Sequence, residues 1–153
     1  MSEPKTPDLV IRPLEQSDHA AWRALWADYL TFYETEKPEE VYASTWARLF
    51  TPGEYEPRGL LALLGGKPVG LVHFMDHRTT WTVANNCYLQ DLFTAPEARG
   101  AGVGAALIEA VRKSAAERDI TNVYWMTQET NATARRLYDR VAKQTGFIKY
   151  VLV

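Results

Sequence analysis

The sequence contains a single cysteine, Cys87, among its 153 residues. One cysteine excludes an internal disulfide framework and favours a reducing compartment. Cys87 lies in an apolar, strand-like run, so we interpret it as a small buried hydrophobic residue and not as a nucleophile. The sequence also lacks an apolar run long enough to span a bilayer and the apolar core of a signal peptide. We therefore expect a cytoplasmic protein without a membrane partner.

Positive charge is not in excess either. Lys and Arg number 17 and Asp and Glu number 19, which gives a formal net charge of −2. A nucleic-acid-binding protein normally carries a basic patch or stripe, so this balance argues against a nucleic-acid partner and suits a basic substrate better. The length supports one domain over residues 1–153, with residues 1–7 as a flexible tail, and we expect no metal site.

The hydrophobic pattern predicts strands and helices in the order β-α-α-β-β-β-α-β-α-β. The first two helices begin near Ser17 and at Pro38, and Gly65-Gly66-Lys67 reads as a hairpin turn between two of the strands. The last strand is FIKYVLV, directly after Gly146. Hairpins in the middle of the chain and strand–helix–strand units later imply a mixed α/β sheet with helices on both faces.

Three glycines lie where a predicted strand passes into a predicted helix. The stretch reads EARGAGVGAALIEAVRK, and Gly100, Gly102 and Gly104 alternate there with small residues. The first N–H groups of a helix lack internal partners and the helix dipole adds partial positive charge, while glycine lets the backbone approach an anion closely. This combination predicts a cradle for a phosphate or pyrophosphate. The alternative is a turn whose glycines serve only tight packing.

Two nucleotide-binding motifs fit this loop poorly. Gly100, Gly102 and Ala105 match G-x-G-x-x-A, and Asp119 lies near the distance at which a dinucleotide fold keeps its ribose-binding acid. That acid should end the next strand, whereas Asp119 precedes it, and only one strand–helix–strand unit follows the loop. A P-loop is excluded because the sequence has no Gly-Lys-Ser/Thr.

Two motifs together resemble a known family. LFTAPEARGAGVGAALIEAV places Arg99, Gly102 and Gly104 in an Arg/Gln-x-x-Gly-x-Gly/Ala pattern, and NATARRLYDRVAKQTGF adds an Asn, a Leu-Tyr pair and a Gly-Phe. In this order and spacing the sequence resembles the GNAT superfamily of N-acetyltransferases. YLQDLFTAPEARGAGVG is similar to the diamine/polyamine and the histone-and-polyamine acetyltransferase groups. The resemblance implies a GNAT-like acyl-CoA N-acyltransferase fold and acetyl-CoA as the co-substrate.

The resemblance also implies roles for individual residues. The strand end would pair with the pantetheine arm of acetyl-CoA, and N–H groups of the glycine loop would hold its pyrophosphate. Tyr138 would be the catalytic proton donor to the departing thiolate, the alternative being a core tyrosine at helical spacing. The implied cofactor-binding residues are Leu92, Phe93, Thr94, Arg99, Gly100, Ala101, Gly102, Val103, Gly104, Ala105 and Asn131.

The residue that takes the proton of the amine is left open. An alkyl ammonium group has a pKa of about 10 and must lose a proton before the nitrogen attacks. Polyamine-acetylating relatives carry Glu where this chain has Gln90, and an amide cannot take that proton. Asp91 is the neighbouring carboxylate, but strand alternation points it to the opposite face. Asp76 and His77, at the end of another strand, are rival candidates.

The segment DYLTFYETEKPEE between the first two helices is expected to wall the acceptor site. It combines carboxylates with aromatic side chains, which suits a cationic amine, although most such charge runs are solvated surfaces. The acceptor would be a polyamine, a basic amino acid or a lysine side chain of a peptide. The predicted substrate-binding residues are Tyr29, Tyr33, Glu34 and Gln90.

The sequence therefore predicts a GNAT N-acetyltransferase that moves acetyl from acetyl-CoA directly to a primary amine, without a covalent enzyme intermediate. The alternatives are a non-catalytic acyl-CoA-binding sensor and a nucleotide-binding regulator that uses the same glycine loop. The final strand FIKYVLV would form an exposed sheet edge, which proteins tend to cover. We therefore expect a homodimer.

Overall fold

The computed structural model describes residues 7–153, so the predicted N-terminal tail lies outside the described residues except for Pro7. Short 3₁₀ turns, Gln16–Asp18 and Pro96–Ala98, precede the first and third helices. The strands and helices are β1 (Leu9–Pro13), α1 (His19–Phe32), α2 (Glu39–Leu49), β2 (Arg58–Leu64), β3 (Lys67–His77), β4 (Asn86–Thr94), α3 (Val103–Ala116), β5 (Val123–Tyr124) and α4 (Ala132–Val141).

The five strands form one mixed sheet in the order β1-β2-β3-β4-β5. The first four pair antiparallel, and β5 runs parallel to β4 because α3 carries the chain back across the sheet. Gly65 and Gly66 close the β2–β3 hairpin with φ of +58° and +81°, a conformation that glycine adopts without strain. The predicted mixed α/β class and the hairpin are confirmed.

Helices cover both faces of this sheet. On one face, α1 and α2 bury Trp22 and Trp26 against Leu71 and Phe93. On the other face, α3 buries Leu107 and its neighbours against the side chains of β3 that point the opposite way. The two buried clusters confirm the predicted arrangement of helices on both faces of the sheet. They also hold β4 and the start of α3 in place.

A bulge at Gln90 interrupts the alternation of β4. His73 on β3 lies opposite Asp91, while the next residue, Phe74, lies opposite Leu89, so Gln90 has no partner on β3. The extra residue shifts the faces of the strand by one position. Leu89 accordingly packs in the α3 cluster, whereas Asp91, two residues later, lies beside α1. Regular alternation predicted Asp91 on the face opposite Gln90, and the bulge leaves Gln90 unpaired with Asp91 on the α1 side of the sheet.

The strand β5 is much shorter than the predicted NVYWMTQ. Only Val123 and Tyr124 pair with β4, opposite Cys87 and Tyr88, and beyond them the two parallel strands separate. The separation begins next to the bulge, where the edge of β4 changes direction. Within residues 7–153, the edge of β4 from Gln90 onward therefore has no neighbouring strand on the β5 side.

The prediction of a final strand at FIKYVLV was wrong. Residues 142–153 contain no helix or strand, although the segment alternates well enough for a strand. A strand forms only where its backbone hydrogen bonds to the edge of another strand, and no strand of the sheet pairs with this segment. Its large apolar side chains are each at least 71% exposed, namely Phe147, Ile148, Tyr150, Val151, Leu152 and Val153.

None of the helices in residues 7–153 combines the length and the apolar composition that crossing a bilayer requires.

Candidate active site

A cavity of about 590 Å³ opens beside the glycine loop. Gly100 and Gly102 have φ of +87° and +79°, a left-handed conformation that favours glycine, and a Cβ added to either would meet no atom within 4 Å. The loop therefore presents bare backbone to open space. The predicted cofactor-binding residues that line this cavity are Leu92, Phe93, Thr94, Arg99, Gly100, Gly102, Val103, Gly104, Ala105 and Asn131.

The start of α3 supplies the hydrogen-bond donors of this cavity. Gly102 is the N-cap residue of α3, and the bond from the Ala106 N–H to its carbonyl oxygen, 3.0 Å, closes the first turn. The N–H groups of the first turn lack intrahelical acceptors, and the helix dipole makes this end partially positive. The geometry therefore suits a phosphate or pyrophosphate group, as the sequence predicted.

The open edge of β4 forms the next wall of the cavity. Leu92, Phe93 and Thr94 pair with β3 on one side, opposite Val72, Leu71 and Gly70. On the other side β5 has already diverged, so a bound extended chain can take the place of a strand there. A pantetheine arm, which carries amide groups, is such a chain.

Asn131 and α4 close the cavity opposite the glycine loop. The Asn131 side-chain oxygen accepts a hydrogen bond from the Ala134 N–H at 3.5 Å, so Asn131 caps the start of α4. Gly104 lets α4 approach α3, since a Cβ there would lie 3.0 Å from Leu137 Cδ2. Gly104 thus serves the packing of α4 on α3 as well as lining the cavity.

Tyr138, on α4, lies where this cavity meets a second opening. Its ring packs edge-on against Trp125 with centroids 5.5 Å apart. Burial raises the pKa of Tyr138 to about 12, with a smaller contribution from Tyr33. The hydroxyl group is therefore protonated, and a hydrogen-bond donor, across the neutral pH range.

The second opening is a narrow cleft of about 10 Å³ between the diverging strands β4 and β5. The cleft is lined on β4 by Leu89 and Gln90 and, directly after β5, by Trp125 and Met126. Four residues line both the cleft and the larger cavity, and these are Tyr29, Tyr33, Leu92 and Tyr138. A group held in the cleft and the end of a group held in the cavity would meet at these side chains.

Two of the residues predicted for the site do not line either opening. Glu34 is exposed at the end of α1 with φ of +56°, and Ala101 points to solvent between the two left-handed glycines. In the same acidic segment, Glu39 is paired with Arg23 at 2.5 Å, which ties α2 to α1. The structure therefore brings Tyr29, Tyr33 and Gln90 together with Tyr138, but not Glu34.

The rival candidates for the proton acceptor are engaged elsewhere. Asp76 is 3% exposed, and its carboxylate accepts two hydrogen bonds from Arg118 at 2.6 and 3.0 Å. His77 donates from Nδ1 to the Arg78 carbonyl oxygen at 2.7 Å, and its Nε2 accepts from the Tyr124 hydroxyl at 2.6 Å. Neither residue lines the cleft or the cavity.

Sequence reasoning missed a hydrogen-bonded group behind the cleft. His73 is 3% exposed, and its Nδ1 lies 2.9 Å from Asp91 Oδ2. Asp91 in turn lies beside the Tyr29 side chain. The signal that could have identified the group is the break in alternation at Gln90, which is visible only once β3 and β4 are paired.

Cys87 is completely buried, as predicted, and is not near the openings. Burial, followed by the charge of Asp76, raises the pKa of its thiol to about 12. We expect the folded protein to react with a thiol reagent such as DTNB at least about 100-fold more slowly than the unfolded protein. We expect Cys87→Ala to keep the acetyl-transfer rate within about twofold of wild type and to cost about 1 kcal/mol of stability.

These three expectations are checked by DTNB kinetics with and without denaturant and by the steady-state rates and the denaturant unfolding of the variant. Loss of turnover in Cys87→Ala, with the fold retained, would place the thiol in the chemistry.

Within residues 7–153, the structure contains no group of three or more His, Cys, Asp or Glu side chains arranged to hold a metal ion.

Comparison with known proteins finds several N-acetyltransferases. A D-amino-acid N-acetyltransferase of Saccharomyces cerevisiae is 37% identical over 144 residues, which covers 93% of this chain and 89% of that protein. A thialysine N-epsilon-acetyltransferase of Caenorhabditis elegans is 29% identical over 83 residues, 54% of this chain and 51% of that protein. An aminoglycoside N-acetyltransferase solved with CoA shares the fold, with a TM-score of 0.84 over 99% of both chains at 15% identity.

The family assignment follows from the sequence match and agrees with the geometry. Residues 19–142 match the family described as Acetyltransferase (GNAT), a span that includes the glycine loop, the open edge of β4 and α4. The chain therefore belongs to the GNAT acetyltransferase family, and it is an enzyme whose co-substrate is acetyl-CoA.

Proposed function

We propose that this enzyme acetylates the primary amino group of a small, amino-acid-like molecule. The observation that supports this most strongly is the meeting of the two openings at Tyr29, Tyr33, Leu92 and Tyr138. Acetyl-CoA lies in the larger cavity in this proposal, and its thioester reaches the shared side chains. The amine enters from the cleft between β4 and β5.

The size of the cleft favours a primary amine. A cleft of about 10 Å³ has room for one group the size of a water molecule, and an ammonium group is of that size. The aromatic rings of Tyr29 and Tyr33, 5.0 Å apart, add faces that attract a cation.

The chemistry proposed at this point is direct transfer in a ternary complex. The amine nitrogen attacks the acetyl carbonyl carbon, the new C–N bond forms, and the C–S bond breaks with its electron pair on sulfur. Tyr138 donates a hydrogen bond and then its proton to the departing sulfur. The nitrogen then loses a proton as it becomes an amide nitrogen, and this proton returns to the Tyr138 oxygen.

The nature of the cleft and the relatives both support an amino-acid-like acceptor. Gln90 lines the cleft with a neutral amide, which does not repel the carboxylate of a substrate whose amino group occupies the cleft, whereas a Glu side chain would. The yeast relative is named for D-amino acids and the nematode relative for thialysine, and both compounds carry a primary amine and a carboxylate. Polyamines and peptide lysines are the competing acceptors.

Thiol release from acetyl-CoA over a panel of amines tests this proposal. The panel holds D- and L-amino acids, lysine, thialysine, putrescine, spermidine and a lysine-rich peptide, with a no-amine control for hydrolysis. We expect the highest kcat/KM on an amino acid. A higher value on spermidine or on the peptide would change the acceptor class, and no release with any amine would contradict the proposal.

We also propose that the enzyme acts in the cytoplasm as a homodimer built from one N-acetyltransferase domain. The supporting observation is the segment 146–153, whose large apolar side chains are exposed. Within residues 7–153 no strand lies on the outer edge of β5, and Met126, two residues after β5, is also exposed. The apolar segment of one copy is well suited to cover this region of the other, because burial of apolar surface is a main driving force of association.

Light scattering coupled to size-exclusion chromatography tests the assembly. We expect a mass of twice 17.4 kDa for the wild-type chain at micromolar concentration. We expect half that mass after deletion of residues 146–153, because the covering segment is lost. A monomeric wild-type chain, or a dimer that survives the deletion, would contradict the proposed arrangement.

A further inference from the structure

A chain of two hydrogen bonds and one close contact runs from the core to the cleft. The Trp22 indole N–H donates to His73 Nε2 at 2.9 Å, and both side chains are buried. His73 Nδ1 lies 2.9 Å from Asp91 Oδ2, and Asp91 lies beside the Tyr29 hydroxyl. Tyr29 lines both the cleft and the cavity, so this chain connects α1, β3 and β4 to the place where the two openings meet.

The direction of each bond in this chain is determined by Trp22. An indole N–H can only donate, so His73 Nε2 must be the acceptor and carries no proton. The proton of the neutral ring is then on Nδ1 and is donated to Asp91. His73 has no free nitrogen left to accept a further proton, so it is excluded as a base and acts as a fixed donor.

The same reasoning applies to the Tyr29 hydroxyl beside Asp91. A phenol has one proton and two lone pairs, and a carboxylate accepts hydrogen bonds. A Tyr29 proton that is donated to Asp91 leaves the lone pairs of the phenol oxygen for the cleft. Burial, followed by the charge of and the hydrogen bond to Asp91, raises the pKa of Tyr29 well above its usual range. Tyr29 is thus a neutral group that passes a proton on and does not ionise.

We infer that Tyr29 and Asp91 together take the proton of the incoming ammonium group, with His73 as a positioning residue that holds Asp91. The inference deepens the function proposed above and rests on it. An ammonium group in the cleft donates a hydrogen bond to the Tyr29 oxygen. The sequence left the proton acceptor open. Gln90 is an amide and cannot take a proton, and the structure places Asp76 and His77 outside both openings.

The proton transfer balances without any added reactant. The N–H bond of the ammonium breaks with its electron pair staying on nitrogen, and the proton passes to the Tyr29 oxygen. The original hydroxyl proton of Tyr29 passes to an Asp91 oxygen, so Tyr29 is neutral before and after. The step converts an ammonium and a carboxylate into an amine and a carboxylic acid, which returns its proton to water after product release.

The surroundings of Asp91 are compatible with this role. The titratable groups that face it are Tyr29 from α1, His73 from β3 and Tyr88 from its own strand, and Tyr33 lies next to Tyr29. The Asp91 side chain is 15% exposed, so water reaches it only to a small extent. A carboxylate in such a setting interacts more strongly with a nearby cation than it would in water.

The pH dependence of kcat/KM in Asp91→Asn and Tyr29→Phe tests the inference. Without an internal acceptor the enzyme depends on amine that is already deprotonated, and this fraction rises about tenfold per pH unit below a pKa of about 10. We expect each variant to lose about 100-fold at pH 7 and to recover steeply between pH 7 and 9, while wild type changes less than about threefold. The double variant should be no slower than either single one, because the two residues act in one path.

Tyr33→Phe is the matched control. Tyr33 lines the same openings 5.0 Å from Tyr29 but is not the neighbour of the carboxylate, so we expect it to keep the pH slope of wild type whatever its rate. Purely structural roles would lower the rate equally at all pH values and would combine multiplicatively in the double variant. Equal pH slopes in wild type and Asp91→Asn would overturn the inference.

A measurement independent of turnover separates this inference from the proposed function. Two-bond ¹H–¹⁵N NMR spectra of the free protein report which nitrogen of His73 carries the proton. We expect Nδ1–H with a bare Nε2 at pH 7, and its loss in Trp22→Phe. A proton on Nε2 would overturn the inference even if the amine panel succeeds, whereas failure of the panel with Nδ1–H observed would contradict the proposed function.

Discussion

Tyr138→Phe is expected to lower kcat by about 100- to 1,000-fold while coenzyme A binds as tightly as to wild type. The change removes one hydroxyl group and leaves the ring, which packs on Trp125. The thiolate then departs without a donor, so the cost falls on the chemical step and not on binding. Steady-state kinetics and calorimetric titration of coenzyme A measure the two effects separately.

Tyr124→Phe is the matched control for this prediction. It also deletes one hydroxyl from a packed tyrosine, but that hydroxyl bonds to His77 and lies outside both openings. We expect its kcat to stay within about twofold of wild type. Because the pKa of Tyr138 is about 12, we also expect no alkaline fall of wild-type kcat between pH 8 and 10. Equal rates in Tyr138→Phe and wild type would remove Tyr138 from the mechanism.

Gly102→Val is expected to weaken acetyl-CoA binding by about 100-fold. The residue caps α3 with φ of +79°, and its Cβ position faces open space beside the cavity. A valine side chain there would displace the bound anion from the helix start. Loss of two charge-assisted hydrogen bonds, each about 1.5–3 kcal/mol, accounts for at least that factor, since about 1.4 kcal/mol is tenfold.

Gly66→Val is the control, because Gly66 has the same left-handed backbone with φ of +81° and the same open surroundings in the β2–β3 hairpin. Both variants should lose about 1–2 kcal/mol of stability from backbone strain. Only Gly102→Val should raise the KM for acetyl-CoA, and the shared stability loss is read from thermal unfolding. Similar KM values in the two variants would show that the loop does not hold the anion.

The parts of the site that the sequence predicted well are those with local causes. Gly100 and Gly102 are glycines because their backbone is left-handed, and Asn131 caps the helix that it begins. Such signals are contained within a few residues. The glycine loop could therefore be recognised from its own residues, whereas the end of β4 and Tyr138 were assigned through the resemblance to the family.

The parts that failed depend on pairing between distant segments. The bulge at Gln90 becomes visible only when β4 lies beside β3, and it alone turns Asp91 towards α1. The buried contact between Trp22 and His73 joins residues 51 positions apart, which no local pattern records. The segment FIKYVLV has the composition of a strand, but composition does not supply the edge that a strand needs.

Initial-rate kinetics with both substrates varied test the central claim most directly, which is that acetyl passes in one step from thioester to amine where the two openings meet. For direct transfer in a ternary complex, double-reciprocal plots at several fixed amine concentrations are predicted to intersect. Cys87→Ala should give the same pattern as wild type. Parallel lines, together with acetylated enzyme detected by mass spectrometry in the absence of amine, would show a covalent intermediate and would contradict the account.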